Sequence, residues 1–162
     1  MQDQTFSGNG FGLASLADAI GADRIRARAH AYLGVSVSDS KIAERHFQEA
    51  IEISEKIQDS FHQITLQAEI ARFMMRASLD QKGRLLFARA EKKLPALESA
   101  ARKDLALARL AEHRARALDL AKAEAHLGAL KNQEILEAAR KDIVRVGRTI
   151  RYMNGASQVA TS

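Results

Sequence analysis

The chain has 162 residues and a formal net charge of +5, and 46% of its residues are apolar. It contains no cysteine, which excludes disulfide bonds and thiolate metal sites. With one proline and nine glycines, helices are interrupted rarely, so an all-α protein of one domain's length is expected.

Residues 1–23 are predicted to form a flexible, glycine-containing N-terminal arm with one short helix. Gly8, Gly10 and Gly12 alternate with other residues, and this spacing costs too much backbone entropy for a helix. The apolar residues 13–20 are expected to form a short turn that docks on the body. The arm has no Lys or Arg, unlike a secretory signal, and no apolar run is long enough to span a membrane. A soluble, cytoplasmic protein is therefore expected.

From about residue 24 onward, apolar residues recur at intervals of three and four, as they do on one face of a helix. Short polar interruptions near residues 38–41, 79–83 and 118–120 divide this part of the chain. The pattern predicts six or seven helices.

Several positions coincide when the sequence is shifted by 40 residues. Within each copy a small residue is followed twelve positions later by a second small residue. A bulky apolar residue comes four positions after that, and a further small or apolar residue three positions later. The sets are Ala31, Ala71 and Ala111; Ala43, Gly83 and Ala123; Phe47, Phe87 and Leu127; and Ala50, Ala90 and Leu130. Small residues let two helix backbones approach closely, and the bulky residue fills the remaining gap. The pattern therefore predicts helical hairpins that stack on one another.

These spacings resemble the tetratricopeptide repeat (TPR), in a long-period form of about 40 residues. Pro95, which is the only proline of the chain, falls on the proline place of the family in the second copy. The chain departs from the family at its aromatic places on the first helix, which hold Ala27, Gln67 and Leu107, and then Gly34, Met74 and Arg114.

The resemblance implies a right-handed array of three antiparallel helical hairpins in a single domain at residues 24–152. The three repeats are residues 24–63, 64–103 and 104–143, followed by a C-terminal capping helix at 144–152 and a flexible tail at 153–162. The alternative is a compact helical bundle, since bundles also use alanine-rich seams between helices.

No catalytic, metal or cofactor site is predicted. The five histidines stand at positions 30, 46, 62, 113 and 126, never three or four residues apart, so no helix presents a two-histidine metal face. Glu49 lies one turn from His46, but such surface pairs are usually solvated. The chain also lacks a serine in a nucleophile elbow, and its N-terminal glycines follow no strand as a phosphate loop would. An enzyme is therefore not expected.

The TPR resemblance implies a non-catalytic interaction scaffold, an adaptor or chaperone that holds a partner in a groove formed by the first helices. The groove places of the family fall on Ile25, Arg28, Tyr32, Val35, Ser36, Thr65, Ala68, Arg72, Met75, Arg76, Leu105, Ala108, Glu112, Ala115 and Arg116. The residues predicted to bind the partner are Arg28, Tyr32, Arg72, Met75, Arg76 and Arg116. Because guanidinium groups favour carboxylates, the expected partner is an acidic peptide or an acidic helix. The N-terminal arm also permits a homodimer.

The alternative function is nucleic-acid binding by the basic C-terminal half. Residues 101–162 hold 12 Lys/Arg against 7 Asp/Glu. The basic residues near the end of the chain are Arg140, Lys141, Arg145, Arg148 and Arg151. Phosphate contacts would make affinity fall steeply with salt, but Tyr152 is the only aromatic residue in this half that could stack on a base.

Overall fold

The computed structural model describes the backbone of residues 10–159 and the side chains of residues 21–147. This part of the chain contains seven α-helices, a short 3₁₀ turn at Leu94–Ala96 and no strand. The helices are α1 (Gly10–Ser36), α2 (Ser40–Glu55), α3 (Ser60–Arg76), α4 (Asp80–Glu91), α5 (Ala100–Arg116), α6 (Leu120–Gly128) and α7 (Gln133–Val159). The prediction of an all-α protein is confirmed for these residues. None of their helices combines the length and the apolar character that a membrane span requires.

The predictions for the N-terminal arm and for the C-terminal capping helix and tail differ from the structure in where the helices begin and end. Helix α1 begins at Gly10, so the predicted boundary at residue 23 falls inside a helix, and the expectation that Gly10 and Gly12 avoid helix is wrong. A glycine costs a helix only about 1 kcal/mol relative to alanine, and extending an existing helix needs no new nucleus. The rest of the predicted arm, residues 1–9, lies outside the described part of the chain.

At the other end, α7 runs without a break from Gln133 to Val159. It therefore includes the predicted capping helix at 144–152 and most of the predicted flexible tail, of which residues 160–162 lie outside the described part. No proline occurs after Pro95, so nothing in this segment forces the helix to end.

Helix boundaries recur at an interval of 40 residues. Helices α1, α3 and α5 end at Ser36, Arg76 and Arg116, and the helices that follow them begin at Ser40, Asp80 and Leu120. The same three-residue connection therefore joins each pair of helices, which makes each pair antiparallel neighbours.

The second and third of these connections close in the same way. Ser78 and Leu118 have left-handed backbone angles, with φ of 62° and 63°. The amide that follows each of them donates a hydrogen bond to the carbonyl of Met74 or Arg114, at 2.9 Å. This closure satisfies carbonyl groups that the helix end leaves free. In the first connection, Asp39 instead caps α2 by accepting from backbone amides of its first turn.

Small residues bring the helices of each pair into close contact. A methyl group added to Gly83 would lie 2.5 Å from Cγ of Met75 and 2.8 Å from the carbonyl oxygen of Ala71. A methyl group added to Gly34 would lie 2.9 Å from the ring of Phe47. The backbones of α3 and α4 therefore touch, and the ring of Phe47 on α2 lies directly against α1.

The helices that begin each pair also contact one another. Helix α1 packs against α3, α3 against α5, and α5 against α7, while each of α2, α4 and α6 packs on the helix before it. One buried apolar cluster extends from α1 to α5, and a second one joins α5 to α7 around Ala111, Leu127 and Ala139. This packing places α1, α3 and α5 side by side, and the candidate site lies between them.

Candidate binding site

A cleft of about 350 Å³ lies where α1, α3 and α5 meet. Its lining is mostly charged and comes from all three helices: Arg24, Arg28, Phe61, Thr65, Glu69, Arg109, Glu112 and His113. Phe61, Thr65 and Glu69 are spaced by four residues on α3, so that they lie one above the other on the same face of that helix. The cleft therefore follows the helix axes over at least two turns.

Two glutamates in the cleft pair with three arginines, two of which line the cleft. Arg28 donates from Nε to a carboxylate oxygen of Glu69 at 2.8 Å. Glu112 accepts from Arg109 at 2.9 Å and from Arg116 at 3.0 Å. Burial by itself would raise the pKa of Glu112, but the hydrogen bond from Arg109 and the neighbouring positive charges lower it overall. These three arginines are therefore held in place by carboxylates of the protein itself.

Arg72 is partly buried and has no such carboxylate. Its guanidinium group lies 4.1 Å from the centre of the Phe73 ring, and its Nε is buried without a hydrogen-bond acceptor. Burial, and after it the positive charge of Arg116, lower the pKa of Arg72. Within the part of the chain whose side chains are described, Arg24 and Arg76 also make no ion pair. Arg24 lines the cleft, and Arg76 lies exposed in the last turn of α3. Three guanidinium groups near the cleft thus lack an anionic partner among these residues.

The two apolar residues predicted to bind a partner have different environments. Tyr32 is 53% exposed, and its ring packs at 4.7 Å on Phe73, next to Arg72. Met75 is partly buried and lies against α4 at Gly83 rather than in the lining of the cleft. The side chain of Met75 is therefore used in the close contact between α3 and α4.

No family model matches the chain. Nor does any curated protein or solved structure. The function of the cleft has to be inferred from the residues that the fold brings together.

The lining of the cleft overlaps only in part with the groove positions that the TPR resemblance implies. Arg28, Thr65 and Glu112 are implied groove positions that line the cleft. Apart from Met75, four of the residues predicted to bind the partner do not line it, namely Tyr32, Arg72, Arg76 and Arg116. Glu69, the partner of Arg28, was missed, although its position four residues after Thr65 puts it on the same helix face. Arg109 and His113 follow by the same spacing from Leu105, which was an expected groove position.

The basic residues of the alternative function lie on α7, away from the cleft. Arg140, Lys141 and Arg145 form an open surface depression together with Val144. Arg148 and Arg151 lie outside the residues whose side chains are described. The structure thus separates the two candidate surfaces, and each can be changed by mutation without touching the other.

His113 should make the stability of the protein depend on pH. Burial, and after it the charge of Arg72, lower the pKa of His113 from its ordinary value of 6.5 to about 3. The unfolded chain therefore takes up a proton below pH 6.5 that the native protein does not bind, and stability falls as the pH drops from 6.5 towards 3. The slope from this residue is at most about 1.4 kcal/mol per pH unit.

Urea unfolding at pH 7 and pH 5 tests this effect with a His113→Gln variant, whose side chain cannot take up a proton. The variant should lose less free energy of unfolding between the two pH values than the wild-type protein does. Equal losses in the two proteins would show that His113 is protonated as easily in the folded state as in the unfolded state.

Proposed function

We propose that this protein is a non-catalytic interaction scaffold that binds an acidic peptide or an acidic helix in the cleft between α1, α3 and α5. The fold behind the proposal is a long-period, TPR-like, right-handed array of three antiparallel hairpins, α1–α2, α3–α4 and α5–α6, with α7 covering the last. Helix boundaries that recur every 40 residues support this arrangement. The contacts of α1 with α3, of α3 with α5 and of α5 with α7 support it as well.

The observation that carries the binding proposal is the guanidinium group of Arg72. Its buried Nε is out of reach of a partner, but its terminal nitrogens have no carboxylate among the described residues, and a carboxylate of a bound partner would supply one. The guanidinium group stacks on the ring of Phe73, and Tyr32 packs on that same ring. A planar guanidinium group favours bidentate binding of a carboxylate.

The charge balance of the cleft and its surroundings favours an acidic partner as well. Six arginines lie in or beside the cleft, but only Glu69 and Glu112 oppose them there. Because these glutamates are only 13% and 17% exposed and already accept from arginines, the excess positive charge faces the outside. An acidic segment would neutralise this charge, and the walls of the cleft would strengthen the attraction by excluding water.

Fluorescence anisotropy with a labelled poly-glutamate peptide tests the proposal. The wild-type protein should bind the peptide, and a double variant Arg72→Glu with Arg76→Glu should bind it at least about 100-fold more weakly, because two charge-assisted contacts become repulsive. The matched control is Arg84→Glu on α4 with Lys92→Glu just after its end, where two exposed cations undergo the same charge change. The control should keep its affinity, and the helical circular dichroism signal should be the same in all three proteins.

A second titration, with duplex DNA, separates this function from nucleic-acid binding. Steeply salt-dependent DNA binding that is lost in Arg140→Glu with Lys141→Glu, together with unchanged peptide affinity in the Arg72/Arg76 variant, would contradict the scaffold proposal. It would then favour the basic surface of α7 as the functional one.

A further inference from the structure

The geometry points to a binding site for one divalent transition-metal ion between α1 and α2, formed by His30, His46 and Glu49. The Nδ1 atom of His30 lies 3.2 Å from Nδ1 of His46 and 3.1 Å from Oε2 of Glu49. All three ligand atoms lie within 4.8 Å of one another. None of these residues lines the cleft between α1, α3 and α5, so this site is a separate one.

Two of the three separations are close to those around a tetrahedral metal ion. Zinc binds histidine nitrogen and carboxylate oxygen at about 2.0–2.1 Å, which puts two ligand atoms at a tetrahedral angle about 3.3–3.4 Å apart. The distances of 3.2 Å and 3.1 Å from Nδ1 of His30 to its two neighbours are close to this separation. These two distances are therefore compatible with ligation of one ion by all three residues without a shift of either helix.

Two imidazole nitrogens that face each other also need a positive charge or a proton between them. When both rings are neutral and Nδ1 of His30 carries the proton, this one N–H faces two acceptors, Nδ1 of His46 and the Glu49 carboxylate. It cannot point at both of them at once. A divalent cation accepts lone pairs from both nitrogens and from the carboxylate at once. The convergence of His30, His46 and Glu49 is therefore better satisfied by a metal ion than by a shared proton.

The three ligands are held by the packed seam between α1 and α2. Each is followed in the sequence by a buried residue, namely Ala31 after His30, Phe47 after His46 and Ala50 after Glu49. The ring of Phe47 lies against Gly34 of α1, which fixes the distance between the two helices. The ligand backbones are therefore preorganised, as a metal site requires.

The chemistry of the ligands indicates the class of metal. Two imidazoles and one carboxylate suit zinc, copper, nickel or iron, whereas magnesium and calcium prefer ligand sets made only of oxygen. All three residues are partly exposed, so an ion can enter from solvent and water can take a fourth position. Sequence spacing could not indicate this site, because His30 stands sixteen residues before His46, on a different helix.

Isothermal titration of the untagged, metal-stripped protein with zinc chloride tests the site. The wild-type chain should bind one zinc ion, and its melting temperature should rise when zinc is present. His30→Ala, His46→Ala and Glu49→Gln should each weaken zinc binding at least about 10-fold, since each removes one of three protein ligands. Cobalt should give the absorption spectrum of a tetrahedral site in the wild-type protein, and Glu49→Gln should lose that spectrum.

The matched control is His62→Ala on α3. His62 also has a carboxylate within 2.9 Å, that of Asp59, but no second imidazole beside it. This variant should bind zinc as tightly as the wild-type protein does. A wild-type chain that binds less than one equivalent of zinc, or a folded Glu49→Gln variant with unchanged zinc affinity, would overturn the site. Glu49→Gln decides the question even if the histidine variants unfold, because it keeps the shape of a side chain that is nearly half exposed.

Discussion

Replacing Arg114 with methionine should lower the free energy of unfolding by about 3–5 kcal/mol, measured by urea denaturation at neutral pH. The side chain of Arg114 is only 4% exposed, and its two terminal nitrogens each lie 2.5 Å from a carboxylate, one of Glu91 and one of Asp119. Its guanidinium group also stacks 4.2 Å from the centre of the Phe87 ring. Methionine fills a similar volume but leaves both carboxylates without their cation.

Most of the lost stability comes from the carboxylates of Glu91 and Asp119, which stay in place without their cation. The loss of the contacts that Arg114 makes contributes less. Burial by itself would raise the pKa of Glu91, but hydrogen bonds from His126 and Arg114 lower it overall. His126 donates to Glu91 at 3.0 Å and cannot also replace Arg114 at Asp119. Adding Glu91→Gln and Asp119→Asn to the Arg114→Met variant should therefore restore part of the lost stability, because no charge is then left buried and unpaired.

The matched control for this prediction is Arg89→Met. Arg89 also lies 2.5 Å from a carboxylate, that of Glu55, but both side chains are about half exposed. Water screens such a pair, so its loss should change stability by about 1 kcal/mol or less. If Arg89→Met and Arg114→Met had equal effects, burial would not be what makes the Arg114 cluster important.

The ion pairs of Arg114 join different helices and could not be predicted from the sequence. In the sequence, Arg114 stands out only as a departure from an aromatic place of the TPR pattern, because a helical pattern describes neighbours on one helix. Its partners Glu91 and Asp119 belong to α4 and to the turn before α6, and the Arg28–Glu69 pair likewise joins α1 to α3. Pairs between helices depend on how the helices pack, so sequence spacing predicted the faces of the helices but not their ion pairs.

The residues that set the spacing between helices were more predictable. The recurrence of small residues at Ala71 and Gly83, followed by Phe87, is visible in the sequence because a close helix contact allows few alternatives. Helix ends at the termini were harder to predict. Gly10 and Gly12 only weaken a helix locally, and a cost of about 1 kcal/mol each does not decide whether α1 continues through them.

Phe47→Ala and Phe87→Ala should each lower the free energy of unfolding by about 3–5 kcal/mol, in separate urea titrations. Both rings are essentially fully buried, on α2 and α4, at positions 40 residues apart. Phe47 fills the space beside Gly34, and Phe87 lies beneath the guanidinium group of Arg114. Truncation to alanine would remove most of the buried apolar surface at each place and leave a cavity that the closely packed helices cannot fill.

The matched control is Leu85→Ala, two residues before Phe87 on the same helix. Leu85 is 65% exposed, so its truncation should change stability by no more than about 0.5 kcal/mol. This control separates the loss of a buried side chain from any effect of alanine on helix α4. If one phenylalanine variant lost several kcal/mol and the other behaved like Leu85→Ala, the two rings would not have equivalent roles. The interpretation of α1–α2 and α3–α4 as copies of one hairpin would then fail, and the TPR-like array with it, because the array requires a bulky apolar side chain to fill the same gap in each copy.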